Sequence, residues 1–182
     1  MSPQFWWYVA RATGIVAWAG AVGAVLVGLA LATRAGGRSV PPSWLLALHR
    51  HLGALTVAFI AGHIGALIAD SYLEFTVADA LVPFHSGWRS GPAAWGVLGM
   101  WLLLIVELTS LARRRLPRQA WRVIHLTSYA AAVAATLHML TAGTDGTSMA
   151  LRWALAGSVA LAAGFLTFRL LLERRRPPTR TA

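Results

Sequence analysis

The sequence contains no cysteine and no lysine, and only 12% of its 182 residues carry a charge. Without cysteine there is no disulfide, no thiolate-held iron–sulfur cluster and no covalently attached c-type haem; any haem is held non-covalently. No Gly-rich dinucleotide fingerprint follows a strand-like run, so the expectation is that the chain has no nicotinamide or flavin domain of its own. The scarcity of charge, with 57% hydrophobic residues and a mean hydropathy of +0.60, is far from the balance of a soluble domain.

What is present is a series of long apolar runs. A spanning helix needs about 20 apolar residues, and five segments qualify, at roughly 7–32, 43–69, 93–111, 121–142 and 149–172. The expected fold class is therefore all-α: an integral membrane helical bundle of five transmembrane helices, with residues 1–182 forming a single transmembrane domain. The first run carries LALA at Leu29–Ala32, which has the look of a cleavage site. Its length and the lack of a basic segment before it read instead as a retained helix. Turn residues separate the spans: AGGRSVPPS, PFHSGWRSGP, RLPR and AGTDGTS. The longest connection, 71–92, is expected to carry a short interfacial helix around Tyr72–Val82, with Trp88 and Trp95 at headgroup level.

The net charge of +10 comes entirely from arginine. Arg34 and Arg38 lie between spans one and two, Arg113, Arg114, Arg115, Arg118 and Arg122 between three and four, and Arg169, Arg174, Arg175, Arg176 and Arg180 at the C-terminal end. The alternate connections hold Asp70, Glu74, Asp79 and Asp145, with Arg11, Arg89 and Arg152. This alternation reads as membrane edges rather than a nucleic-acid surface, so no nucleic-acid partner is expected. It places the N-terminus outside and the C-terminus in the cytoplasm of a multi-pass cell-membrane protein, most simply of a bacterial inner membrane. The C-terminal RRRPPTR reads as a stop-transfer tail.

Histidine is the residue type out of place. LHRHLGALTVAFIAGH (48–63) and VIHLTSYAAAVAATLHML (123–140) are apolar segments with histidines near both ends. With the orientation above, spans two and four are parallel. His49 and His125 then lie near the cytoplasmic end, and His63 and His138 lie 14 and 13 residues further on, about 20 Å at helical rise. Two layers result, each with one imidazole from each helix. Two facing imidazoles are what a six-coordinate haem iron requires, so the layers predict two b-type haems stacked across the hydrocarbon. Positions 14 apart return to within about 40° of one helix face, but positions 13 apart fall about 140° away. A bend, a π-bulge or a steep crossing is therefore expected between His125 and His138, helped by Thr127 and Ser128 bonding back to carbonyls one turn earlier.

Gly53, Ala54, Ala58, Ala61 and Gly62 in one helix, and Ala130, Ala131, Ala132, Ala134 and Ala135 in the other, either leave room for a macrocycle or let helices pack closely. His51 competes with His49, but its 12-residue gap to His63 turns it about 120° away. Arg50 and Arg122 beside the inner pair either neutralise haem propionates or serve as ordinary positive-inside anchors. Glu107 is expected to be paired or snorkelling, and His85 to be solvated in the outer loop.

HRHLGALTVAFIAGH (49–63) and RRRLPRQAWRVIHLTSYAAAVAATLH (113–138) resemble the ferric reductase-like transmembrane domain. That family includes ferric reductases, NADPH oxidases and the haem-binding membrane subunit of the methionine sulfoxide reductase system. The resemblance runs from about Thr13 to Ala142. It implies a haem b bundle, an oxidoreductase subunit passing electrons across a membrane, with His49 paired to His125 and His63 to His138. Sulfoxide-reductase subunits resemble the chain at Gly53, His63, His125 and His138 but commonly lack a counterpart of His49, so a one-haem arrangement stays open beside the two-haem one. A haem-free scaffold or transporter is the third class. A separate flavoprotein or quinol is the expected electron donor, and an external acceptor the expected recipient.

Overall fold

The computed structural model describes residues 4–34, 37, 39–72 and 74–174; Arg38 and the tail beyond residue 174 lie outside them. The described residues are helical, with no strand among them, and five helices are long and apolar enough to cross a membrane. Helix α1 spans Phe5–Thr33 and α2 spans Pro42–Ala69. A short α3, Val77–Leu81, precedes α4, Ser90–Leu111. A 3-10 turn at Arg113–Arg115 leads into α5, Arg118–Leu126, and α6, Ser128–Ala142. Helix α7 spans Met149–Arg174. Each span begins or ends within a few residues of its expected boundary, and proline marks the starts of α2 and α5. Pro42 occupies the first turn of α2, and Pro117 caps α5, where the missing N–H costs nothing.

The helices form two antiparallel units, α1 on α2 and α4 on α6. Lipid tails are as apolar as leucine, so packing between spans rests on close approach rather than on burial from water. Small residues supply it. A Cβ on Gly20 of α1 would lie 2.6 Å from Thr56 Oγ1 of α2, and one on Gly99 of α4 would lie 3.4 Å from Ala134 Cβ and from the Ala131 carbonyl oxygen of α6. The alanine run of α6 thus serves helix packing at Ala131 and Ala134, whereas Ala54, Ala58 and Ala61 of α2 are exposed.

The two units meet where α1 touches α6 and where α2 touches α4. Trp18, buried in α1, donates its indole N–H to Thr136 of α6 at 3.0 Å. Helices α2 and α6 are not packed along each other. Helix α7 lies against α1, and the turn before it is tied to α1 by an Arg11–Asp145 ion pair, with Arg11 Nε donating at 2.7 Å.

The expected bend is a break. Thr127 ends α5 and begins α6; its N–H bonds the Ile124 carbonyl at 3.0 Å and its hydroxyl bonds the same oxygen at 2.7 Å. This tightened i→i−3 turn changes the angular register between His125 and His138. Thr127 plays the role expected of it; Ser128 makes no such bond among the described residues.

The outer connection is shorter in helix than expected, with only Val77–Leu81 helical among its described residues. Thr76 and Asp79 form a reciprocal capping box, and Asp79 also accepts from His85 Nδ1 at 2.9 Å. Trp101 of α4 donates to the Leu81 carbonyl at 2.9 Å, which fastens the connection to the bundle. The Thr76 hydroxyl, the His85 ring and the Thr76 amide together hold the Asp79 carboxyl down to about 2. An unfolded aspartate titrates near 3.9, so the folded value is depressed. The stabilisation is complete above that unfolded value and is lost as pH falls toward about 2. Amide exchange at Thr76, Asp79 and Ala80, corrected for intrinsic rate, is expected to stay slow at pH 6 and to accelerate between about pH 4 and 2. Asp79→Asn is expected to give fast exchange already at pH 6; unchanged protection in that variant would contradict this account of the loop.

Candidate functional site

The four span histidines come together in two pairs. His49 and His125 have ring centres 5.8 Å apart, and His63 and His138 have ring centres 6.2 Å apart. Same-layer pairing on both levels makes α2 parallel to the α5–α6 span, as the charge pattern requires. The rings reach across the interval between the two helix units, where α2 and α6 leave each other unpacked.

The hydrogen bonds of these rings run through Nδ1. His49 Nδ1 lies 2.8 Å from the Ala24 carbonyl oxygen and His63 Nδ1 lies 2.7 Å from that of Ala10, both on α1. His138 Nδ1 lies 2.9 Å from the Pro92 carbonyl oxygen at the start of α4. A carbonyl can only accept, so Nδ1 carries the hydrogen in each of these rings, and in the neutral tautomer Nε2 keeps its lone pair. This is the arrangement found behind metal-binding histidines, whose second nitrogen donates to a carbonyl or carboxylate. His125 differs. Its Nδ1 lies 3.3 Å from the Ser110 hydroxyl, and Trp121 stacks on its ring at 4.9 Å between centres.

An imidazole–metal bond of about 2 Å on each side of one ion puts two ring centres roughly 6 Å apart. Edge-to-face aromatic contact spans the same range, so the separation does not discriminate by itself. The Nδ1 bonds of His49, His63 and His138 add that the remaining electron pair of each neutral ring sits on Nε2. Among the described residues no group of three or more His, Cys, Asp or Glu converges as a bare ion would need. Two-imidazole pairs suit a metal that brings its equatorial ligands with it.

The remaining candidates separate cleanly. His51 is exposed and bonds its own helix, Nδ1 to the Ala47 carbonyl at 2.7 Å, away from the pair. His85 is exposed in the outer loop, as expected, and also bonds Asp79. Arg50 and Arg122 are exposed and make no ion pair among the described residues. Glu107 makes none either, so the pairing expected of it is not seen among the described residues; a Cβ on Gly53 would lie 2.9 Å from its Oε2. Sequence reasoning missed Ser110, Trp121 and the supporting carbonyls of Ala10, Ala24 and Pro92. Backbone acceptors leave no residue-type signal. The repeated 14-residue spacing of small residues in α1 was the available clue.

A helical membrane bundle with paired histidines at two depths defines a class of multi-pass membrane protein suited to holding planar redox groups between its helices. The family described as ferric reductase like transmembrane component matches residues 13–136, and the chain belongs to that family. Membership indicates a membrane redox function. The match includes His49, His63 and His125 and ends two residues before His138. No curated protein and no solved structure matches the chain.

Proposed function

We propose that the chain is the membrane electron-transfer subunit of a multi-protein redox system, holding one b-type haem between His49 and His125 and a second between His63 and His138. The observation that carries this reading is the pair of histidine pairs, at 5.8 and 6.2 Å, with three of the four rings tied through Nδ1 to backbone carbonyls. Haem iron, when bound, supplies reversible one-electron chemistry. The protein's part is to present Nε2 from both sides, to keep water and ions away with apolar walls, and to place two sites at different depths. Ligation through His125 Nε2 requires its Nδ1–H to donate to the Ser110 hydroxyl. Arg50 and Arg122 are suited to propionate pairing because guanidinium binds carboxylates bidentately.

Two haems are favoured over one because His49 is supported like His63, by a carbonyl of the same helix 14 residues further along. The absence of a three-ligand cluster among the described residues argues against a haem-free metal transporter.

Electrons enter, in this proposal, at the arginine-rich cytoplasmic face from a separate flavoprotein, or from quinol within the bilayer, and leave to an acceptor outside the cell membrane. A basic surface would steer an acidic flavoprotein to it, with a rate that falls as ionic strength rises. In sealed vesicles of known orientation, a donor confined to the arginine-rich side is expected to reduce the protein. Reduction from the opposite side alone would reverse the direction and leave the ligands intact.

The purified protein is expected to show a Soret band with sharp α and β bands on reduction. His63→Ala and His138→Ala should each remove the same haem, because iron that loses one of two axial imidazoles is held far more weakly. His49→Ala should lower haem per polypeptide to about half, and His51→Ala should leave it unchanged. Loss of different haems from the two outer-pair variants, judged by redox titration, would contradict the pairing, and full haem content in the His49 variant would favour one haem.

A further inference from the structure

The 14-residue spacing is not confined to the histidines. On α1, the carbonyls that accept from His63 and His49 belong to Ala10 and Ala24, 14 apart. Four residues beyond each is a glycine, Gly14 and Gly28. A Cβ on Gly14 would lie 3.0 Å from His63 Nδ1, and one on Gly28 would lie 3.3 Å from His49 Cε1. The same unit recurs on α4, where Pro92 supplies the carbonyl for His138 and a Cβ on Gly96 would lie 2.8 Å from His138 Nδ1. Three rings are thus seated by one device, a carbonyl at position n and a glycine at n+4.

The reason is helical geometry. The carbonyl at n already accepts the N–H of n+4 and has one lone pair left. The Cβ of n+4 leans toward the helix N-terminus and stands beside that carbonyl. An imidazole coming from another helix reaches the spare lone pair only where this Cβ is missing. Ser110, 14 residues after Gly96, holds the corresponding place for His125, and there the ring meets the serine hydroxyl at 3.3 Å instead of a carbonyl. The same hydroxyl accepts from Trp121 Nε1 at 3.4 Å.

We infer that Gly14, Gly28 and Gly96 are positioning residues that set how strongly their histidines donate electrons, and that Ser110 tunes the inner pair apart from the outer pair. This rests on the haem reading of the four histidines. An Nδ1–H given to a good acceptor makes Nε2 more basic, which favours ferric over ferrous iron and lowers the potential. Both outer rings have carbonyl acceptors at 2.7 and 2.9 Å, whereas the inner pair has one carbonyl at 2.8 Å and one hydroxyl at 3.3 Å.

Redox titration of the full chain, followed optically and by low-spin EPR, tests the inference through substitutions of opposite sign at one position. Ser110→Gly removes the Cβ beside the Val106 carbonyl, so that His125 can displace the longer arm of the Thr109 hydroxyl, which reaches Val106 at 3.1 Å and Ile105 at 2.7 Å, and it is expected to lower the inner midpoint. Ser110→Ala removes the hydroxyl but keeps the Cβ, and is expected to raise it. Gly96→Ala and Gly14→Ala should raise the outer midpoint and Gly28→Ala the inner one, in descending order as the clearances lengthen from 2.8 to 3.0 to 3.3 Å. If Gly96→Ala fails to insert, the two Ser110 variants still decide. Bound haem with unmoved midpoints, or both Ser110 variants shifting in the same direction, would overturn the inference while leaving the ligation standing. An unsubstituted protein that binds no haem would overturn the ligation and the inference with it.

Discussion

An imidazole inside hydrocarbon must satisfy its ring N–H, because no water is there to do so. In an all-helical span every carbonyl is already engaged along the chain, and a ring that reaches across to another helix finds its acceptor in the second lone pair of a carbonyl there or in a hydroxyl such as that of Ser110. His49, His63 and His138 each use such a carbonyl. That requirement explains why α1 and α4, which contribute no span histidine, are as necessary to the site as α2 and α6. It also fixes which nitrogen of these three rings keeps its lone pair.

The architecture follows from the same demand. Each histidine helix is bound antiparallel to the helix that holds its rings, α2 to α1 and α6 to α4, and the two units lean together with the ring pairs between them. An unbroken α-helix from Arg118 to Ala142 could not have aimed His125 and His138 at the same partner. The i→i−3 turn at Thr127 resolves the conflict with a short-range hydroxyl bond rather than with proline. Outside the membrane, the Asp79 box and its His85 partner organise the longest connection by ordinary polar capping.

The spans were legible because bilayer thickness demands runs of apolar residues, and the layering of His49 with His125 and His63 with His138 was legible because helical rise converts spacing into depth. The turn at Thr127 could be anticipated from the 13-residue spacing, which a regular helix cannot accommodate. The supporting shell could not be read in the same way. Ala10, Ala24 and Pro92 act through their backbones, and Gly14, Gly28 and Gly96 look like any small residues of a packed bundle until the rings beside them are seen. His85 is solvated in the outer loop as expected, but its bond to Asp79 was not legible, because that connection carries no apolar periodicity.

Family membership indicates a membrane redox function for the chain, and the proposal adds that each histidine pair holds one iron between two imidazoles. Spin quantification by EPR of the fully oxidised, purified protein tests that most directly. Bis-imidazole ligation predicts ferric signals that are entirely low-spin and account for two irons per chain. A dominant high-spin signal, which marks an open or water-filled axial position, or low-spin intensity amounting to a single iron, would contradict it.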